Sequence, residues 1–147
     1  MTTPTPITIL LADDDEEDRQ LAQDALVESR LLNDLHTVQN GEELMDYLHH
    51  RNAFSDPATS PRPGLILLDL SMPRKNGQEA LREIKDDPEL RRIPVIVMTT
   101  SSAEEDVCRS YDLGASSYVA KPVSFSALVD VMKGIGRYWF EIVELPQ

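Results

Sequence analysis

Short apolar runs alternate along this chain with segments whose apolar residues recur every three or four positions. Residues 7–12 (Ile7-Thr8-Ile9-Leu10-Leu11-Ala12) read as a first strand. Residues 15–29 carry Leu21, Ala22, Ala25 and Leu26 at helical spacing, with acids in the first turn where the helix dipole favours them. Residues 34–38 are a mixed second strand, suited to a sheet edge. Asn40-Gly41 starts a helix to about residue 50, with Leu44, Tyr47 and Leu48 inward. Residues 52–64 hold three prolines, two serines and one glycine, and read as a loop longer than most connections. Residues 65–69 form a third strand. A helix follows over about 77–86, striped by Ala80, Leu81 and Ile84, and Pro88 stops it. Residues 94–98 form a fourth strand. Ser101-Ser102-Ala103-Glu104-Glu105 offers two overlapping capping boxes for a helix ending at Gly114. Residues 116–120 form a fifth strand, broken by Lys121-Pro122. Ser124 caps a last helix carrying Phe125, Leu128, Val129, Met132 and Ile135.

Five strand–helix units in succession predict a parallel sheet with helices on both faces. The continuous apolar character of strands 1, 3 and 4 fits burial from both sides. We therefore expect an α/β, flavodoxin-like doubly wound sandwich with strand order 2-1-3-4-5. The 147 residues read as one domain, with a core over about 7–137 and an apolar extension at 138–147. The formal charge of −12 argues against nucleic acid and anionic membrane as main partners. The single cysteine, Cys108, excludes an internal disulfide and suits a reducing compartment. With no signal-like or spanning segment in view, a cytoplasmic location is expected.

In such a sheet, ligands bind beyond the C-terminal strand ends where the strand order switches. Asp13 and Asp14 end strand 1 and Asp69 ends the neighbouring strand 3, so three carboxylates meet in one cleft. Thr99 ends strand 4 and Lys121 ends strand 5 on the same rim. Clustered carboxylates repel, and hard oxygen ligands without His or Cys favour Mg²⁺ or Mn²⁺. The Ser71 backbone carbonyl and waters would complete the coordination. Beside such an ion, Asp69 can act as a carboxylate nucleophile toward a phosphoryl group, with Lys121 and the Thr99 hydroxyl on the phosphoryl oxygens.

Five segments together resemble the receiver domain of two-component response regulators. They are Ile9-Leu10-Leu11-Ala12-Asp13-Asp14-Asp15, Leu67-Leu68-Asp69-Leu70-Ser71-Met72-Pro73, Val97-Met98-Thr99-Thr100, Gly114-Ala115 and Tyr118-Val119-Ala120-Lys121-Pro122. The resemblance implies that Asp69 accepts phosphoryl from the phosphohistidine of a sensor histidine kinase. It implies metal binding by Asp13 and Asp14, Asp14 more directly, a switch pair of Thr99 and Tyr118, and a cis Lys121-Pro122 peptide. The Pro-rich loop, Leu90-Arg91-Arg92-Ile93-Pro94 and the aromatic end from Tyr138 are most similar to stand-alone regulators that partner phytochrome-type kinases. Thr100 departs from the pattern, being bulkier than the small residue often found there.

Plainer readings apply to several residues. Asp15 to Asp18 suit a solvated helix start, His36, His49 and His50 suit a surface or edge, and Cys108 suits a small buried apolar site. Tyr138, Trp139, Phe140, Ile142, Val143 and Leu145 would form an apolar patch if left exposed. A homodimer packed through this extension and the face of the fourth strand and fifth helix is expected. Signalling by protein–protein contact is the leading function, with a phosphorelay intermediate or phosphate sink as the alternative. A phosphatase of the haloacid dehalogenase type is disfavoured because Ser71 stands where such sites want a second Asp. A receiver-like module that is never phosphorylated is disfavoured because the acids and Lys121 are all present.

Overall fold

The computed structural model describes residues 8–28, 34–69, 77–99, 117–120 and 125–135. Its strands are β1 (Ile9–Ala12), β2 (Leu35–Val38), β3 (Leu65–Leu68), β4 (Val95–Thr99) and β5 (Ser117–Ala120). They form one parallel sheet in the order β2-β1-β3-β4-β5, as the apolar pattern predicts. The helices are α1 (Glu16–Glu28), α2 (Gly41–Leu48), α3 (Gly77–Asp86) and a further helix at Phe125–Ile135. The predicted helix over 101–114 and the extension at 138–147 lie outside the described residues.

Alternation along each strand divides the core into two layers. Leu10, Ala12, Ile66, Leu68, Val95 and Val97 face α2 and α3. Ile9, Leu11, Leu65, Leu67 and Ile96 face α1 and the 125–135 helix, which presents Leu128, Val129 and Met132. Leu21, expected on the buried stripe of α1, is instead 40% exposed. The small Ala22 and Ala25 carry the close packing of α1 with Leu26, and Leu21 falls at the margin of that stripe. β2 is only partly buried, in keeping with its edge position.

Helix ends follow local chemistry. Asn40 Oδ1 accepts the Glu43 N–H at 2.8 Å and caps α2. α2 stops at Leu48, two residues earlier than its apolar pattern suggests, because His50 enters the left-handed region at φ 53°. His50 N–H then donates to Tyr47 O and Arg51 N–H to Asp46 O, the paired bonds of a Schellman ending, here built on a histidine rather than the usual glycine.

The Pro-rich stretch is a tethered segment rather than a free loop. A 3₁₀ turn spans Asn52–Phe54. The Tyr47 hydroxyl donates to Pro61 O at 2.7 Å, and His50 Nε2 lies 2.9 Å from Ser60 O. Tyr47 also packs on Phe54, with ring centroids 5.4 Å apart. Burial pushes the Tyr47 phenol from 10.0 up to about 12. An unfolded chain loses this proton first, so Tyr47 lowers stability as pH rises from about 10 to about 12. Tyr47→Phe is expected to flatten that part of the urea-midpoint profile. Near neutral pH the same change should cost about 1 kcal/mol, because it removes the bond to Pro61 O.

Candidate functional site

The register of the sheet sets the site. Ala12 pairs with both Val38 and Leu68, so β1 and β3 end at the same level. Asp13 N–H donates to Val38 O and Asp69 N–H to Ala12 O, each at 3.0 Å. These bonds fix both acids just past the ladder. Asp13 is 3% exposed and Asp69 6% exposed, whereas Asp14 is open to solvent. One carboxylate oxygen from each of Asp13, Asp14 and Asp69 lies within 4.8 Å of the other two.

Gathering these charges is costly. Two buried carboxylates at such a separation repel by about 3 kcal/mol at an effective dielectric of about 20. A divalent cation among them reverses the sign of that interaction. The donor set is all oxygen, with no His or Cys, and suits Mg²⁺ or Mn²⁺ better than zinc.

The turn that carries Asp14 is built by its neighbours. Asp13 Oδ1 accepts the Asp15 N–H at 2.9 Å. Asp15 Oδ1 accepts the N–H groups of Glu17 at 2.8 Å and Asp18 at 3.4 Å, which caps α1. The expected solvated helix start holds for Asp15, Glu16 and Glu17, which are exposed, while Asp18 is half-buried, and Asp15 is the cap. Arg19 Nη1 donates to the Asp13 backbone carbonyl at 2.7 Å. Sequence reasoning missed Arg19. The available signal was a lone basic residue following Glu16, Glu17 and Asp18, where the dipole favours acids.

Of the remaining predicted site residues, Thr99 is the last residue of β4 and pairs with Ala120 of β5. Tyr118 pairs with Val97, which places it on the strand beside Thr99 and two residues before that partner. Ser71, Lys121 and the Lys121-Pro122 peptide lie outside the described residues, as do Thr100 and Cys108. No described helix is long and apolar enough to cross a membrane.

The family model of the response regulator receiver domain matches residues 9–133. The chain belongs to this receiver family. The receiver is 41% identical over 141 residues to the response regulator Rcp1 of Synechocystis sp., a match covering 96% of this chain and 94% of that protein. Among solved structures, the phosphorylated cyanobacterial phytochrome response regulator RcpA superposes with a TM-score of 0.86 at 41% identity, covering 97% of this chain and 100% of that one. The Mn²⁺-bound form of Rcp1 superposes with a TM-score of 0.84, at the same identity and coverage. The receiver is thus related to phytochrome response regulators, and phosphoryl acceptance is the general role of its family.

Proposed function

We propose that Asp69 is the phosphoryl acceptor of this receiver and that its donor is the phosphohistidine of a sensor histidine kinase. The observation that carries this reading is the meeting of Asp13, Asp14 and Asp69 within 4.8 Å at the C-terminal ends of β1 and β3. An Asp69 carboxylate oxygen attacks phosphorus, the P–N bond to the donor imidazole breaks, and an acyl phosphate forms. Asp13, Asp14, Asp69 and the Ser71 carbonyl would hold Mg²⁺ or Mn²⁺. That ion, when bound, offsets negative charge on the phosphoryl oxygens. Lys121 and the Thr99 hydroxyl would contact the same oxygens.

Thr99 and Tyr118 form the switch in this reading. Thr99 moves toward the phosphoryl group, Tyr118 follows, and the β4–β5 face changes shape. Output is contact with other proteins, and the chain from 1 to 147 acts as one receiver in the cytoplasm, not as an enzyme on other substrates. A phytochrome-type kinase is the proposed partner, supported by the similarity to RcpA, a phytochrome response regulator solved in its phosphorylated form, and to Rcp1. Incubation with acetyl phosphate and Mg²⁺ should add one phosphoryl group to the intact mass, and EDTA should prevent it. An unchanged mass with Mg²⁺ present would refute acceptance.

A homodimer through the face of β4 and the 125–135 helix, together with residues 138–147, completes the proposal. Its support is the six large apolar residues between 138 and 145 in a chain of net charge −12. Sedimentation at micromolar concentration should give a dimer. A monomer both with and without a phosphoryl mimic would reject it.

A further inference from the structure

We infer that Arg19 is a positioning residue for the acidic site: it pins the Asp13–Asp14 peptide and thereby holds Asp14 in register with Asp13 and Asp69. The inference rests on the metal-binding role proposed for these acids. Four observations support it. Arg19 Nη1 reaches back six residues to the Asp13 carbonyl, at 2.7 Å. That carbonyl belongs to the peptide from which Asp14 projects. The other polar groups around it are already engaged, Asp13 N–H with Val38 O and Asp13 Oδ1 with Asp15 N–H. Asp14 is exposed, so the orientation of this peptide decides where its carboxylate lies.

The placement of Arg19 is otherwise unfavourable. It sits in the opening of α1, after three acids, where the helix dipole disfavours a cation. Its other side opens on a polar cavity of about 220 Å³ lined also by Thr37, Val38, Gln39 and Glu43. A substitution at 19 therefore leaves no buried void, and the fold has no packing reason to fail.

Two effects of removing the guanidinium have opposite signs. As a charge alone, Arg19 repels a cation from the acids, and its loss tightens binding. As a positioning group, Arg19 keeps three oxygens within ion reach, and its loss weakens binding. Groups that orient metal ligands typically change affinity by roughly 10-fold or more when removed. The guanidinium bonds the Asp13 carbonyl directly, at 2.7 Å, so its first effect is on the orientation of that peptide and positioning is the stronger of the two.

The test uses the full chain and Mn²⁺ alone as probe, with two readouts. In metal-free protein, Arg19→Met should speed amide hydrogen exchange at Asp15, whose N–H is held by Asp13 Oδ1. In titration, it should raise the Mn²⁺ Kd by roughly 10-fold. Arg19→Lys, which keeps a charged donor on a long stem, should recover most of the affinity. Arg82→Met, the loss of an exposed α3 charge, should leave both readouts unchanged. Equal or tighter Mn²⁺ binding by Arg19→Met, or unaltered exchange at Asp15, overturns the inference. If Arg19→Met does not fold, Arg19→Gln, neutral and shorter, decides by the same readouts. Failure of the wild-type chain to bind Mn²⁺ would instead refute the metal reading, while the exchange data still decide whether Arg19 holds the turn.

Discussion

Asp69→Asn is expected to abolish the one-phosphoryl mass increase produced by acetyl phosphate and Mg²⁺. The amide occupies nearly the same volume, so the fold should persist and only the chemistry should change. A carboxylate oxygen carries the charge needed to attack phosphorus, and an amide oxygen is far weaker as a nucleophile. The neighbouring acids are not expected to substitute. Asp14 is open to solvent, and Asp13 Oδ1 is engaged with the Asp15 N–H. Intact-mass analysis reads the outcome directly. An adduct that survives Asp69→Asn would place the acceptor on another residue.

Leu67→Ala is expected to give the largest loss of stability among changes outside the acidic site, about 3 kcal/mol. Leu67 has no exposed surface and lies in β3, the central strand, two residues before Asp69. Its side chain packs among Ile9, Leu11, Leu26, Ile96 and the residues of the 125–135 helix. Truncation removes buried apolar area and leaves a cavity that a parallel strand held on both sides cannot close. For a chain of 147 residues, a loss of this size corresponds to a fall in Tm of roughly 10 °C. Val27→Ala on α1, at a position 68% exposed, should move stability by no more than about 0.5 kcal/mol. Comparable losses in the two variants would mean that β3 does not carry the core as described.

Much of the fold was legible along the chain because its signals are local. Apolar runs with two-sided burial, Pro88 after α3 and the polar start of α2 located the elements to within a residue or two. The misplacements have physical causes. The apolar pattern runs α2 too long because a histidine, not a glycine, takes the left-handed position that ends it. The 52–64 stretch resembles plain loop in sequence because its tethers, from Tyr47 and His50 to carbonyls ten or more residues away, leave no periodic trace. Helical spacing points Leu21 inward because periodicity gives a face but not the width of the contact that small Ala22 and Ala25 allow.

The same division applies to the candidate site. Residue types and their strand-end positions were enough to nominate Asp13, Asp14 and Asp69, since alternating strands and helices restrict the topology and place such ends on one rim. The convergence of those three oxygens within 4.8 Å depends on the pairing of Ala12 with Leu68, a relation between segments more than fifty residues apart. The bond from Arg19 to the Asp13 carbonyl likewise depends on the direction in which α1 leaves its cap. Local pattern carries the identity and order of the elements, because propensity and burial act over a few residues. Register and side-chain reach are set by packing between distant segments, and only the folded chain decides them.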